Sequence, residues 1–571
     1  MDIPELESDR LVVDSCRRLT GPSLVWSETG AILDVLVQDM DMRRVLDCWQ
    51  RHQAELLAEV DWKDPLVTHR RFENGYNLLL AAPLDQLYSA VRVLETAWYF
   101  CASELLELEV DARAQLVEEI RSQMRQEKNP ALLELEAAAD QHGVDFLADE
   151  EAVSLGHGTG SRSYPIEQIP APDDVEWDSI HDIPVALITG TNGKSTSVRL
   201  LDSIARAAEK VSGITSTDFV RVGDEVLDRG DYSGPGGARL LLRDPRLEVG
   251  FLEVARGGIL RRGLPLRRAR VALVTNIASD HLGQYGVNTL PALTETKFAV
   301  RRTLAEDGRL VANADNAHIV EYLAGDTGPD LCWFSLDKSN QQVQRQLSLR
   351  RCCCYSEQGR LVYHDGDQFI DICAIDEIPM TLNGAAVHNV HNALGAIGVA
   401  TALGFSAQQI SEGLKSFHSD ENDNPGRMNH FTLSNSAQVI VDFAHNAHGI
   451  TAMVDTVKRM PAREKWALFG SAGDRSDEDI LAMVDALLSV EPDHVVITEI
   501  EVYLRGRSHG EISHLIKQAC LKSGLDENRI HTLDSPLAGV KHALQQMQSG
   551  DLGLFLVLSE RDQIIDYIKS F

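Results

Sequence analysis

The 571-residue chain predicts an α/β protein in three parts, a small α+β N-terminal domain followed by a central and a C-terminal α/β domain. Two observations carry this expectation. From Val185 onward, short aliphatic runs alternate with helix-period stretches, the pattern of parallel βαβ units. Between Gly156 and Pro184 the chain concentrates Gly, Pro, Ser and Asp without sustained periodicity, which reads as a linker. The expected divisions are residues 1–155, a linker at 156–182, a central domain at 183–424 and a last domain at 425–571.

In the N-terminal part, SLVWSETGAILDVLV reads as strand, while MRRVLDCWQRHQAELLAEV and LDQLYSAVRVLETAWYFCASELLELEV carry apolar residues at helical spacing. In the central part the strand candidates are PVALIT, VGFLEV, RVALVTNI and GRLVANAD; in the last they are AQVIVDF, KWALFG, HVVITEI and LGLFLVLS. Hydrophobic residues make up 44% and charged residues 25%, as in ordinary globular proteins. The formal charge of -32 repels phosphate backbones and anionic membrane surfaces, so neither nucleic acid nor membrane is an expected partner. The first residues lack a basic n-region and an apolar core, and no later run approaches a spanning length, so a cytoplasmic protein is expected. Nine cysteines without a CxxC pair support neither a disulfide framework nor a zinc ribbon. The run Cys352-Cys353-Cys354 alternates faces on a strand before a turn at Gly359, a poor chelate.

The most informative stretch is PVALITGTNGKSTSVRLL, where an apolar strand runs into Gly190, Thr191, Asn192, Gly193, Lys194, Ser195 and Thr196 and then into a helix. This order builds a phosphate cradle. Glycines admit close backbone approach, N–H groups and the helix N-terminus supply positive charge, Lys194 reaches the terminal phosphates, and the Ser195 hydroxyl can hold Mg²⁺. A Gly-rich turn with a surface lysine is the plainer alternative. Only two residues separate Gly190 from Gly193, where the general P-loop has four between its first glycine and its Gly-Lys pair.

The short form GTNGKST resembles the ATP-binding motif of the Mur ligase family. The similarity continues through FLEVARGGILRRGL, TNIASDHLGQYGVNTLPALTETKFAV, LNGAAVHNVHNALGAIGVATALG, PGRMNHF, VDFAHNAHGI, GDRSDEDI and LRGRSHGE, in the order found in the Mur-type half of cyanophycin synthetases. It covers roughly Ile183 to the C-terminus; RLTGPSLVWSETGAILDVL is more weakly similar to their N-terminal domain. The ATP-grasp domain that those enzymes carry between the two parts has no counterpart here. The resemblance implies a P-loop central domain and a Rossmann-like last domain. It also implies an ATP- and Mg²⁺-dependent amide ligase, which activates a carboxylate as an acyl phosphate for attack by an amino-acid-type amine.

Residue by residue, the resemblance makes Glu253 a Mg²⁺-binding glutamate, His281 a second metal's ligand, and Lys297 a lysine that CO₂ can carbamylate into an anionic ligand. Asn392 matches the adenine-side asparagine, Arg427 brings a guanidinium to the phosphates or the developing acyl phosphate, and Asp442 holds the ribose, beside His445 and Asn446. The usual proline of that last motif is Ala447. Arg505, Arg507 and Glu511 stand where relatives recognise the incoming amino acid, two arginines suiting a carboxylate and Glu511 a cation. Surface or structural roles are the alternatives for each: a strand-end glutamate, a core histidine, a solvated helix lysine, an exposed polar loop. The basic run RRGLPLRRAR, with Arg261, Arg262, Arg267, Arg268 and Arg270, suits either an acidic substrate or a solvated turn. His509, Glu511 and His514 have the order H-x-E-x-x-H, not that of a zinc hydrolase, and no G-x-S-x-G elbow appears. Two rival readings remain: a P-loop kinase or NTPase, and a degenerate ligase that assembles with a separate ATP-grasp ligase. An oligomer is compatible with the sequence.

Overall fold

Strands Leu11–Leu19, Gly30–Val37, Gly75–Ala81 and Val67–Phe72, in that spatial order, form an antiparallel sheet. The helices Met42–Glu59 and Leu87–Leu105 bury Val45, Trp49, Leu56, Val93, Leu94 and Phe100 against it, the faces their helical spacing implies. This computed structural model describes residues 3, 6, 8–110, 113–326, 328 and 330–571.

The stretch expected to be a linker is folded. Strand Arg162–Pro165 pairs with Ala152–Leu155, which pairs with Phe146–Ala148, and Val175 and Ile180 share a core with Leu132, Leu135 and Val153. Gly158 has φ 56° and lies so close to the central domain that a Cβ would sit 2.2 Å from the Leu247 carbonyl oxygen. Its glycine and proline content therefore serves close backbone approach and short turns rather than a free tether.

The central sheet is parallel through Ser212–Thr215, Val249–Glu253, Val185–Thr189, Ala269–Val274, Leu304–Asn313, Leu331–Ser335 and Cys353–Glu357. An antiparallel hairpin extends each edge. Both faces are covered, which explains why these strands read as continuous aliphatic runs. Ile188, Phe251 and Leu273 meet the helices Lys194–Ala207 and Val387–Ala402 on one side. Leu187, Leu252 and Ala272 meet Leu241, Leu242 and Ile259 on the other. Cys352, Cys353 and Cys354 are buried free thiols before the turn at Gly359, whose φ is 76°.

The last sheet orders its strands Asn429–Thr432, Gln438–Asp442, Leu552–Leu556, Lys465–Phe469, His494–Thr498 and Ile530–Leu533, parallel after the first pair. No helix among the described residues is long and apolar enough to cross a membrane.

Candidate active site

The strand Val185–Thr189 lies between Val249–Glu253 and Ala269–Val274, so three parallel strands deliver their C-terminal ends to one edge of the sheet, the usual location of ligand sites in open α/β sheets. Gly190 leaves the first strand with φ 142°, and a Cβ there would lie 1.9 Å from Thr275 Oγ1. Gly193, at φ 85°, heads the helix Lys194–Ala207, and its Cβ would meet Asn392 Oδ1 at 2.4 Å. No other residue fits either position without displacement. The loop is fixed from the neighbouring strand end: Thr191 N–H donates to Asn276 O at 2.8 Å, Asn192 N–H to Asn276 Oδ1 at 3.0 Å, and Asn276 Nδ2 to Asn192 O at 3.0 Å.

Two lysines converge on this loop. Lys194 Nζ donates to the carbonyls of Gly190 (3.1 Å) and Thr191 (2.9 Å), and Lys297 Nζ donates to the same Gly190 oxygen at 2.9 Å. Burial, reinforced by Lys194, pushes the Lys297 amine well below the usual lysine range. That favours a neutral amine, the form able to add CO₂.

Glu253 ends its strand 2% exposed, and its Oε2 has no hydrogen-bond partner among the described residues. Its carboxylate lines the same cleft as Lys194, Ser195 and Thr196. A buried carboxyl oxygen left without a donor beside hydroxyls and a phosphate cradle fits a hard divalent cation. His281 follows at φ 50°, with its Nε2 3.8 Å from Asp280 Oδ1 and 3.4 Å from Arg475 Nη2. His445 Nε2 lies 3.9 Å from Asp280 Oδ2, and one ligand atom from each of Asp280, His281 and His445 falls within 4.8 Å of the others. Burial lowers His281 and pushes His445 down to about 4, so both imidazoles are neutral and able to ligate. For Asp280, burial works the other way, yet the Arg475 guanidinium, which donates to its Oδ1 at 2.8 Å, helps hold its carboxyl below the usual range.

The cleft between the central and last domains has a volume of about 250 Å³. Asn392 stands at its wall and donates to Asn389 Oδ1 at 3.1 Å. Arg427 faces the cleft with its guanidinium 4.4 Å over the Phe443 ring. Asp442 is buried, which raises its pKa, and its two oxygens accept the N–H groups of Met428 and Ala444, each at 2.7 Å. Asn446 caps the helix Ala447–Val457 and exchanges amide hydrogen bonds of 3.1 and 3.2 Å with Asn192. Ala447 thus opens a capped helix.

The loop holding Arg505, Arg507 and Glu511 lies apart from the cradle. Arg505 pairs with Asp474. Arg507 donates to Gly473 O (3.2 Å) and Arg475 O (2.8 Å) and pairs with Asp477 (2.7 Å) and Glu511 (3.1 Å). Glu511 also accepts the Ser508 N–H at 3.0 Å. All four partners of Arg507 are internal, so it braces the loop that carries Arg475. Arg475 in turn is 9% exposed and reaches across the domains to Asp280 Oδ1 at 2.8 Å. The sequence reading assigned no role to Arg475, Asp280 or Asn276. The motif GDRSDEDI contained the only signal for the first.

The family model of the Mur ligase middle domain matches residues 188–400, and that of the Mur ligase, glutamate ligase domain matches residues 426–556. The chain is 34% identical over 378 residues to a cyanophycin synthetase from Geminocystis herdmanii, covering 66% of this chain and 42% of that protein. It therefore spans about two fifths of the length of that relative. It is 27% identical over 332 residues to the UDP-N-acetylmuramyl-tripeptide synthetase of Deinococcus radiodurans, covering 56% of this chain and 62% of the relative. Among solved structures, E. coli FolC in complex with DHPP and ADP superposes with a TM-score of 0.50 at 21% identity, covering 68% of this chain and 89% of FolC, a likeness of fold. With both domain matches falling in order on the folded units that carry the cradle and close the cleft, the chain belongs to the Mur ligase family.

Proposed function

We propose that this chain is an ATP- and Mg²⁺-dependent ligase that forms an amide bond between a carboxylate and an amino-acid-type amine. The observation that carries the reading is the meeting of the glycine cradle, Lys194 and the unpartnered Glu253 oxygen in one cleft that the last domain closes. In this reading the N–H groups of residues 193–196 and the Lys194 side chain hold the phosphates, while those of Thr191 and Asn192 stay on Asn276 and fix the loop. Asn392 and Asp442 hold the base and ribose ends, the latter through lone pairs that its two backbone donors leave free. Glu253 and Ser195 would hold Mg²⁺, and His281 and a carbamylated Lys297 a second ion. Bound there, the metal neutralises phosphate charge during transfer. Arg427 lies where the carboxylate oxygen attacks the γ-phosphorus, ADP leaves, and the acyl phosphate forms. The amine then attacks the acyl carbon, and phosphate departs. Arg505, Arg507 and Glu511 lie on the amine side, with Arg507 acting first through the loop it braces. A mono-kinase or simple NTPase would need no second domain bringing Arg475 and His445 to Asp280.

Screening carboxylate and amine pairs for ADP release with mass detection tests the reading. A pair giving ADP, phosphate and an amide in equal amounts is expected; ADP release that never depends on an amine, or a stable phosphorylated product, would contradict it.

A further inference from the structure

We infer that the N-terminal domain is a working part of the ligation site: through Arg17, Asn77, Arg70 and Leu24 it holds the segment 280–287 in the conformation that presents Asp280 and His281. The inference rests on the ligase reading for what those two residues do.

This segment does not hold itself. His281 and Tyr285 both have left-handed backbone (φ 50° and 56°), and so do Gly283 and Gly286 (91° and 69°). Side-chain-bearing residues adopt such angles only where surroundings impose them. Its own regular bonding amounts to a single bridge between Gln284 and Val287.

Two side chains of the helix Arg256–Arg262 reach the segment, Arg256 Nη2 donating to Gln284 Oε1 at 2.6 Å and Arg261 Nε to the Tyr285 hydroxyl at 3.0 Å, and its backbone carbonyls at Tyr285 and Gly286 are held from the N-terminal sheet. Arg17 is 8% exposed; its Nε donates to Leu260 O at 2.7 Å, its Nη1 pairs with the fully buried Asp34 at 2.5 Å, and its guanidinium lies 4.6 Å over the Tyr285 ring. Asn77 Nδ2 donates to Asp34 Oδ1 at 2.7 Å and to the Tyr285 carbonyl at 3.3 Å. Arg70 Nη1 donates to Gly286 O at 3.2 Å, and Arg70 also pairs with Glu295 at 3.4 Å. Beneath these polar contacts, Leu24 shares a buried cluster with Leu260, Val287 and Leu293. A buried Arg–Asp pair is a costly way to stabilise a domain by itself. Here the same groups also grip a strained loop of the next domain, a function an apolar pair could not perform. Two residues of that loop, Asp280 and His281, then face Arg475 and His445 of the last domain. All three domains therefore meet at it.

Arg17 and Arg70 are thus positioning residues. Arg17→Ala would strand the buried Asp34 carboxylate and endanger the N-terminal fold, so the decisive variants are Arg17→Lys, which keeps the charge but loses the fork, and the more peripheral Arg70→Ala. On the full-length chain, hydrogen exchange of residues 280–293 is followed by mass spectrometry. Mn²⁺ affinity is measured in parallel by electron paramagnetic resonance with the non-hydrolysable ATP analogue AMPPNP present. Each variant is expected to exchange roughly tenfold faster in this segment, with the helix Lys194–Ala207 unchanged, and to bind Mn²⁺ roughly tenfold more weakly. Wild-type exchange in the segment would overturn the inference, and so would faster exchange with unaltered Mn²⁺ affinity, since the contact would then be structural only. A wild-type chain that takes up neither Mn²⁺ nor AMPPNP would instead refute the ligase reading, while the exchange data would still decide whether the N-terminal domain holds the loop.

Discussion

Glu253 is a buried carboxyl group, one oxygen of which has no donor among the described residues. Such a group is expensive until a cation arrives. Glu253→Gln should therefore stabilise the metal-free protein by about 1 kcal/mol in chemical denaturation while removing most Mg²⁺-dependent turnover. A variant with unaltered stability and unaltered metal dependence would place Glu253 outside the site. Lys194, by contrast, serves the phosphates and the charge that builds on them during transfer rather than the core, so Lys194→Ala should leave folding intact and cut kcat by roughly 10²–10³-fold. A separate residue reports on the cleft's burial. His388, with His391 and His448 beside it, is pushed down to about 4 by burial. Because its folded pKa lies below the unfolded value near 6.5, the neutral ring contributes stability that is complete above about pH 6.5 and is lost as pH falls from there towards 4. His388→Gln should flatten that part of the stability–pH curve by about 1–2 kcal/mol.

At the scale of elements, the cradle was legible because its signal is local: an aliphatic strand, two glycines at positive φ and a helix start lie within adjacent residues. The aliphatic runs from Val185 onward likewise announce a sheet covered on both faces. What the sequence did not convey is contact between distant elements. Arg475 and Asp280 are 195 residues apart, and nothing in either motif says that they touch. The segment 156–182 misled for a related reason: glycine is as suited to close packing, as Gly158 is against Leu247, as to a flexible tether. The loop 473–511 can be tested as an element. Removing the Arg507 guanidinium leaves the Gly473 and Arg475 carbonyls without their donor, so Arg507→Ala should destabilise the last domain by about 1–2 kcal/mol and raise the amine KM with ATP affinity nearly unchanged. Arg505→Ala, whose partner Asp474 is at the surface, should alter stability by less than about 0.5 kcal/mol. Loss of ATP affinity in the Arg507 variant would assign this loop to the nucleotide instead.

For the whole molecule, the central and last domains are joined at points where the chemistry would occur, Asn192 of the cradle to Asn446 and Asp280 to Arg475. Such an arrangement suits a reaction in two stages, in which an activated intermediate must meet a second substrate before water does. In the proposed reaction the first stage passes a phosphoryl group to a carboxylate. Once a productive substrate pair is known, that transfer is tested by labelling the substrate carboxylate with ¹⁸O and analysing the released phosphate by mass spectrometry. One ¹⁸O is expected in each phosphate, formed in step with amide and lost in Lys194→Ala; phosphate free of label would mean that the γ-phosphoryl group had gone to water or to another acceptor, and carboxylate activation would be wrong.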